Sequence, residues 1–437
     1  MKRNTTKKLL LLSLIFVAFL VTNNPVKAQF LSSSDSAFKA GTPNSGRLWG
    51  YAFGDYAYKG HADSLSRGGS NQYTGIPQTR TTFQFRRIYL GYDYNISKKF
   101  SAELLLAAED NFPAGNPPSS SSPSGDELLN NKLTFYIKLM NIRWKNIWKG
   151  TDLVVGQVGT PAFPAITEKV WSYRSVERTI ADIRRTPSYD MGAALQGTFD
   201  PSTKNFGYDL MLANGSSAKP EGDNFKWLYG DIYAYVADKK LVFDLYADYE
   251  RLNWTPTWHH ARSMVKGFIA FNSSATEKSM NPGSGFTIGV EGFVNNLKND
   301  LFAAKIAGGT DTLTNAASGL SMYIHGDIVP DKLRFFARLD IYNPMNKVDN
   351  NTYSGYKGNT GNYNDNSYAS AAGDETYKQT FITAGLDFKP TARVHFMPNI
   401  WYNAYSSQLA NSNKDHDMVF RITFFYAFGK NYDNGGF

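Results

Sequence analysis

Cysteine is missing altogether. Without it the chain has no lipid-attachment cysteine, no disulfide framework and no thiolate metal site. Beyond an N-terminal leader there is also no apolar run of eighteen residues, which excludes a transmembrane helix and leaves two readings, a soluble exported protein or a strand-built barrel. A strong charge of either sign is missing too. The formal +8 comes from 46 basic and 38 acidic residues, but removing Lys2, Arg3, Lys7, Lys8 and Lys27 with the leader leaves 41 against 38. So slight an excess gives no nucleic-acid surface, which needs concentrated basic charge.

Histidine is scarce, with six residues: His61, His259, His260, His325, His395 and His416. Only His325 and His395 fall inside expected strands, and no Gly-x-Ser-x-Gly elbow offers a nucleophile. His259 and His260 have no companion carboxylate at ligand spacing. No catalytic centre, metal site or cofactor is expected.

What is present begins with the leader. Lys2, Arg3, Lys7 and Lys8 precede thirteen residues, Leu9 to Val21, that are apolar except for Ser13, and Val26-Lys27-Ala28 ends the segment with small residues flanking the middle one. That is a secretory signal. Cleavage is expected after Ala28, giving residues 1–28 as signal, 29–45 as an N-terminal lead and 46–437 as one domain.

From Gly46 onward the chain reads as alternating segments of about ten residues rich in aromatic and β-branched types, the signature of membrane strands. In Leu241 to Glu250, residues Leu241, Phe243, Leu245, Ala247 and Tyr249 share one face, while Val242, Asp244, Tyr246, Asp248 and Glu250 share the other. Lys332 to Tyr342 and Met418 to Phe428 split likewise. A soluble sheet also alternates, so the connections discriminate. Short turns are expected at Asn95–Lys98, Asn146–Gly150, Asp200–Lys204, Asp238–Lys239, Asn295–Asn299, Val329–Asp331 and Lys389–Ala392, alternating with long polar stretches such as Asn111–Asn131, Thr160–Pro187 and Asn343–Tyr377.

That asymmetry predicts an all-β fold, a transmembrane antiparallel β-barrel with short periplasmic turns and long external loops. Seventeen candidate strands appear where an even number is required. Ser263 to Phe271, with a lysine among its apolar residues, is the weakest and is assigned to an external loop, giving about sixteen. Tyr92, Tyr94, Trp144, Trp148, Phe199 and Phe206 beside short turns suit an interfacial girdle. Ser119 to Ser124 and Asp349 to Tyr368 read as low-complexity loop tips.

Two stretches resemble the phosphate-selective porin O and P family. One is Arg86-Arg87-Ile88-Tyr89-Leu90-Gly91-Tyr92 followed by a turn and the strand Phe100 to Asp110. The other runs from Val155-Gly156-Gln157 through Pro161, Phe163 and Glu168 to Glu177-Arg178. Where that family usually has a lysine shortly after Gly-Gln, this chain has Gly159-Thr160. The resemblance implies a sixteen-stranded porin, commonly a homotrimer, with a loop folded into the lumen, surrounded by outer-membrane lipid and passing small hydrophilic solutes, phosphate-like anions among them.

Within Thr160 to Pro187 stand Lys169, Arg174, Arg178, Arg184 and Arg185 against Glu168, Glu177 and Asp182. On a short helix Arg174 and Arg178 would share a face. Guanidinium groups in a pore attract anions through forked hydrogen bonds, whereas the plain alternative is a charged external loop. The expected constriction or solute-binding residues are Arg174, Arg178, Arg184, Arg185, Arg87, Arg334, Arg338 and Glu103. Acidic residues outnumber basic ones on the water-facing sides, so opposed rows and broad selectivity are expected. Trp227, Tyr229, Tyr233 and Tyr235 form either a stacking surface for a solute or packing. Three readings stay open: a diffusion pore, a substrate-preferring channel, and a non-conducting structural or adhesive exported β-protein.

Overall fold

The computed structural model describes residues 42–65, 67, 73, 76–109, 128–129, 132–184, 187–255, 258–274, 285–358, 376–409 and 414–429. The expected signal, most of the N-terminal lead, Arg185 and the loop tips at 119–124 and 359–368 lie outside the described residues.

Sixteen strands form one antiparallel ring: β1 (Ser45–His61), β2 (Thr81–Asn95), β3 (Phe100–Glu109), β4 (Tyr136–Trp148), β5 (Thr151–Gly159), β6 (Tyr189–Thr198), β7 (Phe206–Ala213), β8 (Trp227–Val236), β9 (Leu241–Thr255), β10 (Trp258–Asn272), β11 (Phe286–Lys305), β12 (Thr310–Val329), β13 (Leu333–Asn343), β14 (Lys378–Thr391), β15 (Val394–Ser406) and β16 (Lys414–Phe428). Each pairs with its chain neighbours, and β1 pairs with both β2 and β16, so the ring is closed. A short strand at Tyr353–Gly358 leans on the end of β11 and stays outside the ring, because β13 pairs directly with β14.

Alternation sorts the two faces. On β9, Phe243, Leu245, Ala247 and Tyr249 are exposed outside, while Val242, Asp244, Tyr246, Asp248 and Glu250 are buried inside. The outer face carries a belt of exposed Leu210, Leu228, Ile232, Val265, Ile269, Val294, Met322, Ile341, Ile382, Phe420 and Ile422. In water so continuous a belt would be an aggregation hazard; against hydrocarbon it is the low-energy surface. Tyr92, Trp144, Trp148, Phe199 and Phe206 are exposed near one end, with the Phe199 ring tilted 5.0 Å from that of Phe206.

That end carries the connections 96–99, 149–150, 199–205, 237–240, 330–332 and 392–393. Left-handed backbone at Asn146, Lys204, Ala237, Asp238, Lys239 and Asp331 makes its chain reversals. Asp200 holds one of them, accepting from Thr198 Oγ1 (2.9 Å) and the backbone N–H groups of Asn205 (2.9 Å) and Phe206 (2.8 Å). The Thr203 hydroxyl with these donors keeps its carboxyl well below the usual range.

Two expectations are corrected here. Ser263 to Phe271 is no external loop but lies within β10, paired to β9 and β11 along its length. Its lysine, Lys266, points inward, with Nζ 2.5 Å from Asp244 Oδ2, so the alternation is intact. Asn295 to Asn299 is no turn but lies inside β11, a strand of 20 residues whose hairpin with β12 turns only at 306–309. The two corrections offset, and the count stays sixteen. Loop length is also less strictly sorted than the sequence suggests, since only two residues separate β9 from β10 and four separate β11 from β12 at the long-loop end, while thirteen separate β10 from β11 at the turn end.

Leu245→Arg places a charge in the apolar belt and is expected to cost about 2 to 4 kcal/mol, whereas Leu245→Val retains near wild-type stability. Urea unfolding of the detergent-folded barrel, read by heat-modifiable gel mobility, checks the difference.

Candidate pore constriction

The chain leaves β5 at Gly159 and returns at Tyr189. Its neck is closed by Thr160 N–H to Ser188 O (3.1 Å) and Thr160 Oγ1 to Pro187 O (2.6 Å). Between them lie two short helices, α1 (Thr167–Trp171) and α2 (Ile180–Arg184). α1 ends at Ser172, whose left-handed backbone turns its N–H back onto Glu168 O.

The segment crosses the lumen. Residues 170–178 meet β12, β13, β15, β16, β1 and β2, on the side of the ring away from their origin. His325 Nε2 on β12 lies 2.9 Å from Val170 O, and Arg338 on β13 donates to Arg178 O (2.6 Å). Arg421 on β16 donates to Val176 O (2.6 Å), and Arg86 on β2 donates to Ser175 O. Trp401 Nε1 on β15 donates to Glu177 Oε2 (2.8 Å). A segment inside a barrel has no strand ladder to satisfy its carbonyls. Wall guanidinium groups take that place, each such charged bond contributing about 1.5–3 kcal/mol.

Apolar contact completes the attachment. Val170, Trp171, Tyr173 and Val176 pack with Tyr51, Phe53, Tyr89, Phe336, Met397 and Phe425, and Tyr173 lies 4.6 Å from the Phe336 ring. Ile180 seats on Gly319, where a β-carbon would come within 3.0 Å of its Cδ1. The small wall residues near the loop's origin divide, Ala194 facing inward and Ala193 outward.

A bulge explains why two consecutive arginines both point inward. Phe53 faces Arg87 and Gly54 faces Phe85, leaving Arg86 as the extra residue. Arg86 pairs with Asp55, which also accepts from Thr423 Oγ1 (2.5 Å) and Tyr73 OH (2.5 Å). Arg87 Nη1 reaches Glu109 Oε2 at 2.9 Å, where Lys138 joins it.

The structure divides the expected site residues. Arg174 is buried in the loop between Glu168 and Asp182, the latter at 2.8 Å. Burial pushes the Glu168 carboxyl above its usual range, with Asp182 adding to the effect against the pull of Arg174. Arg178 lies 3.5 Å from Asp182 and keeps a side-chain exposure of 12%, against 3% for Arg174. Arg184 donates to Gln379 and covers the Tyr342 ring at 4.1 Å. Arg338 also binds Asp340 (2.8 Å). Arg334 lies beside Asp327 (3.2 Å) and His325, the histidine that meets Val170 O of the strap. Glu103, on β3 next to the strap's attachment at β2, accepts from Asn141 (3.1 Å) and not from the strap.

Asp209, Asp231, Asp244, Asp248 and Glu250 line β7 to β9, across the ring from β16 and β2, which carry Arg421, Arg86 and Arg87. Lys169 is exposed on α1. Trp227 and Tyr229 stack at 5.0 Å and are fully buried, Tyr229 OH donating to Asp190 (2.9 Å), so this pair is packing. Tyr233 and Tyr235 are half-buried. His395 Nδ1 lies 2.9 Å from Asp387, and Ser172 and Ser175 line the same cleft. Their hydroxyls turn elsewhere, to Lys169 O (2.7 Å) and Met397 Sδ (3.8 Å).

No family model and no curated protein matches the sequence. Solved structures match the fold. The chain is similar to the outer-membrane expressed OmpT of Vibrio cholerae (11% identity, 90% of this chain and 100% of that one, TM-score 0.52). It is similar to the outer membrane channel DcaP of Acinetobacter baumannii (12%, 90% and 99%, 0.53) and to an anion-selective porin from Comamonas acidovorans (9%, 88% and 100%, 0.50). At such identity the likeness establishes the fold, a closed sixteen-stranded barrel of the kind found in outer-membrane porins and channels.

Arg421→Met removes the donor to Val176 O. Amide exchange in residues 170–180 is expected to rise about 10- to 100-fold, the equivalent of one charged hydrogen bond, while exchange in β9 is unchanged. Hydrogen-exchange mass spectrometry of the folded barrel reads both.

Proposed function

We propose that the chain is an outer-membrane channel for small hydrophilic solutes, non-catalytic, with the segment 160–187 as its constriction. One observation carries this reading: a charged segment spans the lumen and is bonded to the wall beyond it. A barrel serving only as a scaffold needs no such crossing, whereas a channel uses one to narrow its passage.

The crossing also bears on selectivity. Arg174, Arg86, Arg87 and Arg338 are engaged by carboxylates, so they hold the loop and wall in place rather than presenting free charge. Arg178 and Lys169, the more open cations among the described residues of the segment, face a lumen whose far side is acidic. We therefore favour a narrow passage with a transverse field over a phosphate-selective one. Side chains around the strap are almost inaccessible, Asp55 at 0% and Arg421 at 3%, which favours low conductance. Assembly as a homotrimer, implied by the family resemblance, belongs to the same proposal.

Planar-bilayer recording tests it. The wild-type protein is expected to give small discrete conductance steps, and replacement of residues 163–184 by a short Gly-Ser linker raises the step several-fold. Arg178→Glu shifts the reversal potential towards cation preference at low salt, with the shift shrinking as the Debye length falls below about 10 Å. Silence from both the wild type and the shortened variant would support the non-conducting structural alternative.

A further inference from the structure

Closure of the ring brings together residues that the chain separates by hundreds of positions. His61 ends β1, and Asp415 and His416 begin β16, the strand that pairs with it. One ring nitrogen from each imidazole and one carboxylate oxygen all lie within 4.8 Å of one another. His61 Nδ1 is 3.7 Å and His416 Nδ1 3.9 Å from Asp415 Oδ1, and the rings are stacked at 4.0 Å.

We propose that His61, Asp415 and His416 bind a divalent first-row metal ion, with Zn2+ as the reference ion, clasping the first and last strands at the long-loop mouth. Two imidazoles and a carboxylate are a nitrogen and oxygen donor set that suits such ions and leaves a position for water. Bonds of about 2.1 Å in a tetrahedron set donors roughly 3.4 Å apart, and because imidazole lone pairs lie in the ring plane, at least one histidine ring turns out of the parallel stack to share the ion.

The surroundings already orient the donors. His61 Nδ1 lies 2.7 Å from the His416 carbonyl. That contact fixes the tautomer with a lone pair on Nε2, the arrangement by which ligating histidines are usually held. Asp415 Oδ2 accepts the Ser64 N–H (2.8 Å) and Oδ1 the His416 N–H (2.8 Å), so the carboxylate is held by backbone. A bulge completes the geometry. Lys59 pairs with Val419 and His61 with Met418, leaving Gly60 as the extra residue. Regular alternation would place His61 on the inner face with Lys59; the bulge turns it to the face of His416. Side-chain exposures of 36%, 18% and 31% leave the three groups open to an ion from solvent.

The test uses the folded mature protein in detergent, without a histidine tag, stripped with chelator and titrated calorimetrically with ZnCl2. One equivalent is expected to bind. His61→Ala and His416→Ala each weaken the affinity by about tenfold or more, His259→Gln leaves it at the wild-type value, and all retain heat-modifiable mobility. Zn2+ also raises the thermal unfolding midpoint of the wild type but not that of the His61→Ala/His416→Ala double variant. Failure of the wild type to take up one equivalent, or wild-type affinity in the double variant, would overturn the proposal.

Discussion

Backbone pairing within the wall is the constraint on which the rest depends. Against hydrocarbon, every strand N–H and C=O needs a partner inside the sheet, so a membrane sheet has to close on itself. The pairing of β1 with β16 meets that demand. Closure then creates a second problem, because an enclosed lumen invites filling, and any segment that enters arrives with its own carbonyls unpaired. The solution in this chain is to spend wall guanidinium groups on them: Arg86, Arg338 and Arg421 bond to Ser175, Arg178 and Val176.

This assignment changes what the arginines mean. Charge inside a barrel suggests solute recognition, yet Arg174 is sandwiched by Glu168 and Asp182, and Arg338 is shared between Asp340 and the loop backbone. These groups tie the strap to the wall, and in the proposed channel the passage is what the strap leaves against the acidic strands β7 to β9. On that proposal, selectivity follows from the position of the segment more than from any one cation. The same closure that encloses the lumen also juxtaposes His61 with His416 outside it, so the strap and the seam are consequences of one topology.

The strand pattern was largely legible, because alternation is a local property and β9, β13 and β16 alternate without interruption. It misled where a polar residue was judged without its face. Lys266 counted against β10 although an inward lysine opposite Asp244 fits a barrel strand, and the polar run Asn295 to Asn299 looked like a turn although β11 continues through it. Bulges were invisible for a different reason: Arg86 and His61 change face through register with a partner strand, which no single segment reveals. The loop's inward path was an expectation that the family resemblance implied. Its partners His325, Trp401 and Arg421 are 155, 224 and 245 residues away in sequence, so only the folded ring discloses them.

The central claim is that residues 170–178 are bound to the wall across the lumen from their origin. A chain with no cysteine offers a clean background for testing it. Ser175 Oγ and Met397 Sδ lie 3.8 Å apart, on the strap and on β15. Ser175→Cys combined with Met397→Cys, treated in the folded state with a short bifunctional thiol reagent, should form an intramolecular cross-link visible as a gel-mobility shift after denaturation. Two thiols that stay separately labelled by maleimide, with no cross-link, would place the segment away from the far wall and contradict the account.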